Sequence, residues 1–306
     1  MNSVAVIGAG AWGSALAIQA CRAGRRVTIW ARDKTRVRPL PPDIEITIDL
    51  PGSGFDALVL AVPVQHLRAV AARLDPQAPM IVCAKGIEQG TLALPLEILA
   101  GLHPQTPAAI LSGPNFAHEI AAGLPAASVI AASDPALRAR LIALLASPAF
   151  RLYGNDDPVG AGLGGAAKNV IAIAAGAVMG AGLGENARAA LITRGLAELA
   201  RLVTALGGRP ETVHGLTGLG DLLLTCTGGS SRNYRCGVAL GRGEPLTQAV
   251  RESAGVIEGI ATAPALVARA RGIDLPICAA VAGLVAGRLT LEDAIVTLLT
   301  RPMRDE

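Results

Sequence analysis

The stretch Val4-Ala5-Val6-Ile7-Gly8-Ala9-Gly10-Ala11-Trp12-Gly13-Ser14-Ala15-Leu16-Ala17 decides the fold. Its first four residues are apolar without alternation, which suits a strand buried on both faces. The small apolar run from Ser14 suits a helix packed on that strand. Between them three glycines stand at the spacing G-x-G-x-x-G. Gly8 permits a tight turn, Gly10 lets a pyrophosphate approach the backbone, and Gly13 lets helix and strand pack closely. The helix N-terminus then turns its N–H groups toward the phosphates. With strand and helix both in place, the motif points to a dinucleotide rather than to a merely structural turn.

Outward from this unit, short β-branched runs punctuated by Gly, Pro and Asp predict strands over 4–7, 27–30, 44–48, 57–61, 80–84, 108–112 and 127–131. Helical patterns fall between several of them, for example over 14–23 and 67–74. Apolar strands alternating with helices mean an α/β, Rossmann-type, doubly wound and mostly parallel sheet. From about Asp156 the pattern changes to long Ala/Leu stretches at helical spacing, over 167–179, 185–206, 245–251, 261–269, 275–286 and 291–299. The expected organisation is a dinucleotide-binding domain over 1–155 and an all-helical substrate domain over 156–306. The cluster Gly154-Asn155-Asp156-Asp157-Pro158 is the natural linker.

A chain of 306 residues has room for two such cores. Half of it is apolar but only seven residues are aromatic, so the cores are built from Ala, Val, Leu and Ile. A formal charge of +3 with no basic block around aromatic platforms argues against nucleic acid as a partner. The five cysteines, Cys21, Cys83, Cys226, Cys236 and Cys278, are widely spaced, with no CxxC and no paired histidines, so no metal site is expected and reduced thiols are. The apolar run 170–184 is shorter than a bilayer needs, and no signal peptide is seen at the start. A cytoplasmic protein without membrane insertion is the expectation.

Basic residues are strongly skewed, with 24 Arg against three Lys: Lys34, Lys85 and Lys168. A buried lysine sheds its proton and serves as acid or base, which arginine does not. Lys85 closes the strand over 80–84, at the carboxyl edge of the sheet where ligands bind. Lys168 interrupts the small apolar helix start Gly164-Gly165-Ala166-Ala167-Lys168-Asn169-Val170, where an ammonium calls for an acidic partner. Asp221, in Gly218-Leu219-Gly220-Asp221-Leu222, is either a helix N-cap or a buried carboxylate facing a cation. Ser230-Ser231-Arg232-Asn233-Tyr234-Arg235 is either a solvated loop or a set of donors for a phosphate ester. At the end of the second strand Arg32 would neutralise the extra phosphate of NADP, whereas an acid such as Asp33 would take the ribose hydroxyl of NAD.

These segments, together with Ala61-Val62-Pro63, Lys85-Gly86-Ile87-Glu88, 111–119 and Val256-Ile257-Glu258-Gly259, resemble the bacterial NAD(P)-dependent glycerol-3-phosphate dehydrogenases along almost the whole chain. The resemblance implies Lys168 as general acid or base, with Lys85 and Asp221 in the substrate site. It implies Arg232 and Asn233 at the substrate phosphate, and Gly113, Asn115 and Ser231 near the substrate. On the cofactor side it implies Gly8, Gly10, Gly13, Trp12, Arg32, Lys85, Ala117, Arg232, Val256 and Glu258. Trp12 and Phe116 would otherwise pass as core residues. The chain departs from the family pattern after Asp33, where 34–38 leads almost directly into Pro39-Leu40-Pro41-Pro42, and at Ala167, where a leucine is usual.

What the resemblance implies is reversible reduction of dihydroxyacetone phosphate to sn-glycerol 3-phosphate, feeding glycerophospholipid synthesis, with NADP or NAD and with NADPH preferred through Arg32. It also suggests a homodimer. The rivals are another two-domain reductase of hydroxy-acid or ketopantoate type, which the Ser231-Arg232-Asn233 cluster disfavours, and a redox sensor that binds NAD(P) without turnover, which Lys168 with Asp221 disfavours.

Overall fold

A computed structural model describes residues 2–253 and 255–300; residue 1 and residues 301–306, at the outer ends of the two expected domains, lie outside it. Eight strands, β1 (Ser3–Ile7), β2 (Arg26–Trp30), β3 (Ile44–Thr47), β4 (Ala57–Leu60), β5 (Met80–Val82), β6 (Ala108–Ser112), β7 (Ala126–Ala131) and β8 (Phe150–Asn155), form one sheet in the order 3-2-1-4-5-6-7-8. Every pairing is parallel except that of β6 with β7. The strand order reverses between β1 and β4, the crevice in which doubly wound sheets take their ligands, and the glycine turn opens there.

Five helices accompany the strands: α1 (Ala11–Arg22), α2 (Val64–Ala71), α3 (Pro95–Leu102), α4 (Ala117–Ala122) and α5 (Pro135–Leu145). The sequence gives no individual bounds for the last three, and β8 is not among the expected strands. α3 and α5 begin with a proline in the first turn, and α5 is capped by Asp134. β8 breaks the rule of continuous apolar strands because it is the sheet's last strand, with Arg151, Tyr153 and Gly154 exposed. Gly154 and Asn155 therefore belong to the sheet, and the connection shrinks to Asp156 and Asp157. Lys85 does not close its strand, whose ladder ends three residues earlier at Val82.

The rest is helical: α6 (Pro158–Gly180), α7 (Gly184–Ala205), α8 (Pro210–Val213), α9 (Asp221–Thr227), α10 (Arg232–Gly241), α11 (Leu246–Glu252), α12 (Glu258–Arg269), α13 (Pro276–Val285) and α14 (Leu291–Leu299). Asp157 starts α6 by accepting from the Gly160 amide at 2.8 Å, and its other oxygen takes the Arg209 amide at 2.8 Å. The helix is longer than its apolar stretch alone suggested. Among the described residues it is the one helix long and apolar enough to cross a membrane, yet 83% of its apolar window is buried inside the protein, and it forms the axis of the second core. Gly176 and Gly180 face Gly237 and Gly241 of α10 so closely that a Cβ on any of them would strike the opposing backbone.

One buried charge ties this helical layer together. Glu198 of α7, 1% exposed, accepts from the amides of Ile277 at 2.6 Å and Cys278 at 3.1 Å, capping α13 from a neighbouring helix. Burial raises its pKa. Glu198→Ala strands both amides and is expected to lower unfolding free energy by about 1–3 kcal/mol, read as a shift of the urea midpoint at unchanged slope.

Candidate active site

Lys168 lies midway along α6, in an unbroken buried run from Gly160 to Ala177. Only an acceptor within reach can stabilise an ammonium there. Its Nζ donates to Asp221 Oδ1 at 2.5 Å and to Thr225 Oγ1 at 3.0 Å. Asp221 is reached through a single π-helical turn, Leu216–Gly220, after which α9 begins. Asp221 does not cap that helix: it stands inside the first turn, has no exposure to solvent, and spends its second oxygen on Lys85. Lys85 Nζ donates to Asp221 Oδ2 at 2.6 Å and to the Gly113 carbonyl at 3.0 Å. Sheet and helices thus each contribute a lysine to one carboxylate.

Burial pulls the Lys168 ammonium down from 10.5 to about 8, against the pull of Asp221, and Lys85 lowers it further. The group is poised where a proton moves in either direction near neutral pH. The neighbouring thiols are not: burial pushes Cys83 and Cys226 up to about 12, which leaves them protonated and inert.

Two asparagines that sequence reasoning left without roles, or with others, extend the site. Asn169 donates to the Lys85 carbonyl at 3.2 Å, and its Oδ1 accepts from Asn233 Nδ2 at 2.9 Å, while Asn233 Oδ1 accepts from the Gly259 amide at 2.9 Å. Asn233 is thus buried and engaged within the protein rather than held out in a loop. Ser231, also buried, caps α10 through the Tyr234 amide at 3.2 Å. Arg232 follows at the first turn of α10, exposed, its guanidinium filling the space where a side chain at Gly255 would sit. Thr225 and Asn169 were legible by the signal that exposed Lys168, a polar group in an apolar helix.

At the cofactor edge, Gly8 has φ +113° and a Cβ there would press on the Ala61 carbonyl at 2.9 Å, so the turn requires glycine. A Cβ at Gly13 would collide with the Gly8 carbonyl, whereas one at Gly10 would meet nothing. The space beyond Gly10 is open, and no side chain caps α1. These residues fit a pyrophosphate, because uncapped amides of a helix N-terminus face it. Trp12 is half-buried against the sheet's core. Arg32 is exposed beyond β2, and Ala117 opens α4 next to Phe116, whose ring stacks on His118. Val256 is 48% exposed. Glu258 heads α12, its carboxyl pKa raised by burial against the pull of Arg232, Lys168 and Lys85. Of the residues expected on the substrate side, Lys85, Gly113, Lys168 and Asp221 are joined by direct hydrogen bonds; Asn115, Ser231, Arg232 and Asn233 are not part of that set.

A doubly wound sheet with a glycine fingerprint at its switch point, closed by helices that bring a proton-active lysine to it, defines a dehydrogenase using a nicotinamide dinucleotide. Residues 3–138 match the model for the NAD-dependent glycerol-3-phosphate dehydrogenase N-terminus and residues 157–296 the model for its C-terminus. The chain is 56% identical to the NAD(P)+ glycerol-3-phosphate dehydrogenase of Acidiphilium cryptum over 99% of this chain and 98% of that one. With the enzyme of Gluconobacter oxydans it shares 50% identity over 98% and 97% of the two chains. The crystal structure of glycerol-3-phosphate dehydrogenase from Coxiella burnetii superposes with a TM-score of 0.93 at 37% identity, covering 98% of this chain and 99% of that one. The chain belongs to the NAD-dependent glycerol-3-phosphate dehydrogenase family and is an oxidoreductase.

Since Asp221 opposes the fall in the Lys168 pKa, Asp221→Asn is expected to move that group below about 8. Titration of the lysine side-chain signals by NMR checks the direction.

Proposed function

We propose that this protein reduces dihydroxyacetone phosphate to sn-glycerol 3-phosphate, reversibly, and prefers NADPH to NADH. The observation that carries the proposal is the buried Lys168, held on Asp221 with a pKa near 8, at the edge of the sheet where the dinucleotide fingerprint opens. A nicotinamide bound there supplies the hydride. The ketone oxygen gains negative charge, and Lys168 donates a proton to it from Nζ while Asp221 holds the amine in place. Lys85 adds positive charge beside the same oxygen. Arg232 and Ser231 bind the phosphate, with Asn233 ordering the helix start beneath them, and this remote binding orients the carbonyl.

Residues 1–155 serve as the dinucleotide domain and 156–306 as the substrate domain. Gly8, Gly10 and Gly13 take the pyrophosphate, and Trp12, Ala117, Val256 and Glu258 line the cofactor. The product feeds glycerophospholipid synthesis in the cytoplasm, and the enzyme works as a homodimer without membrane insertion. Arg32 supports the preference for NADPH. The neighbouring Asp33 uses Oδ1 within its own turn, accepting from the Thr35 amide at 2.9 Å and hydroxyl at 2.7 Å. The shortened connection after it holds only the 3-10 turn Lys34–Arg36 before β3.

Purified protein should oxidise NADPH when dihydroxyacetone phosphate is added, followed by nicotinamide absorbance, and no turnover would reject the proposal. Ketone reduction needs the protonated amine, so its turnover should fall as pH rises through about 8, while the reverse oxidation should rise over the same range. Lys168→Arg keeps the charge but removes the tunable proton. It should cost at least about a hundredfold in turnover with cofactor affinity retained.

Arg32→Ala is expected to narrow the ratio of kcat/KM for NADPH over NADH. Equal efficiency with both cofactors in the parent enzyme would remove the role given to Arg32.

A further inference from the structure

Among the described residues, two buried side-chain oxygens flank Gly113 without a partner, Ser112 Oγ and Asn115 Oδ1. Ser112, at the end of β6, is 3% exposed. The loop that follows lies along the lysine–aspartate cluster, since the Gly113 carbonyl accepts from Lys85 and the ring of Pro114 faces Gly220, the neighbour of Asp221. Gly113, at φ +147°, crosses directly over Ser128 of the antiparallel strand β7: a Cβ there would stand 3.0 Å from both the Cα and the Oγ of Ser128. From this fully buried position Ser128 Oγ accepts a hydrogen bond from Asn115 Nδ2.

A carboxamide donates on one side and accepts on the other. With the donor tied to the strand, the acceptor is what Asn115 offers to a ligand. A buried acceptor with no donor is costly, so a partner is expected from whatever binds beside it. Of the groups on dihydroxyacetone phosphate, the ketone and the dianionic phosphate only accept, and the free hydroxyl alone donates. We infer that Ser128 is a positioning residue: it fixes the Asn115 carboxamide with Oδ1 toward the free hydroxyl of the substrate, and so sets selectivity for that hydroxyl. The inference rests on the phosphorylated-ketone activity proposed above.

The test compares kcat/KM for dihydroxyacetone phosphate with that for hydroxyacetone phosphate, in which the hydroxymethyl group is a methyl. Because both substrates are read on one preparation, the ratio does not depend on how much of a variant folds. The parent should favour the hydroxylated substrate. Ser128→Ala should shrink that preference by about tenfold, the scale of one hydrogen bond, at unchanged KM for NADPH, and Ser128→Thr should keep it. Asn115→Ala should lose the same preference, and adding Ser128→Ala to it should change nothing further. If Ser128→Ala weakens both substrates equally, or adds its full effect on top of Asn115→Ala, or is matched by Ser128→Thr, the positioning role is overturned. A parent inactive on dihydroxyacetone phosphate would overturn the activity itself and this role with it, whereas an active parent with additive variants overturns the role alone.

Discussion

One carboxylate holds the site together. Asp221 is fully buried and accepts from Lys85 on one oxygen and Lys168 on the other. A single buried ion pair contributes little net stability, because desolvating two charges offsets their attraction. Two cations on one anion are less balanced still, and leave a positive charge unspent. Burial resolves the imbalance partly through Lys168, whose proton is loosened, while Lys85 stays paired with both Asp221 and a backbone carbonyl. The surplus positive charge is what an anionic substrate or a developing alkoxide meets on entering. Removing Asp221 would leave two ammonium groups facing each other, so its carboxylate is as much a condition for the local fold as for the chemistry.

The arginine skew has its own structural account. Four arginines fork onto backbone carbonyls at the ends of elements or in the loops between them: Arg22 on Ile120 and Ala121, Arg25 on Ala143 and Leu144, Arg138 on Ala132 and Ser133, and Arg201 on Asp274. A planar guanidinium reaches two acceptors at once, or one acceptor with two N–H groups, and a lysine ammonium matches neither geometry as well. These arginines staple one element to another, while two of the three lysines, Lys85 and Lys168, meet on the buried carboxylate of Asp221. The excess of arginine is what made Lys85 and Lys168 visible in the sequence.

Legibility followed periodicity and failed where other forces rule. The strands from β1 to β7 and the long helices α6 and α7 carry apolar runs long enough to be read directly. β8 was missed because its outer face is exposed and its last residues, Gly154 and Asn155, look like a linker. α10 was missed because its start reads Ser-Arg-Asn-Tyr-Arg, polar enough to suit a loop, although Ser231 caps it and its other face seats on α6. In the site, Lys168 and Asp221 could be paired from the cost of a lone buried charge. No pattern along the chain announces that Asn233 closes on Asn169 and Gly259, because that meeting is between residues 26 and 64 positions apart. Ser128 sits in an ordinary apolar strand, and only the crossing of Gly113 above it gives its hydroxyl something to hold.

The seam between sheet and helices explains why these pieces stay in register. Lys85 lies in the loop that follows β5, where its carbonyl accepts from Asn169 of α6 and its side chain ends on Asp221. Further along the same loop, Arg269 of α12 donates to the Leu92 carbonyl at 2.7 Å and forks onto Glu97 at 2.6 and 2.8 Å. From the sheet side Gln65 takes the Ile87 carbonyl at 2.8 Å, and Arg68 pairs with Glu88 at 2.7 Å. The segment from Lys85 to Glu97 is therefore gripped from both sides, and neither half can shift without breaking bonds at several points. Hydride and proton transfer tolerate little displacement between donor and acceptor. A seam of this kind fixes the distance from the edge built by β1 and α1 to Lys168 on α6.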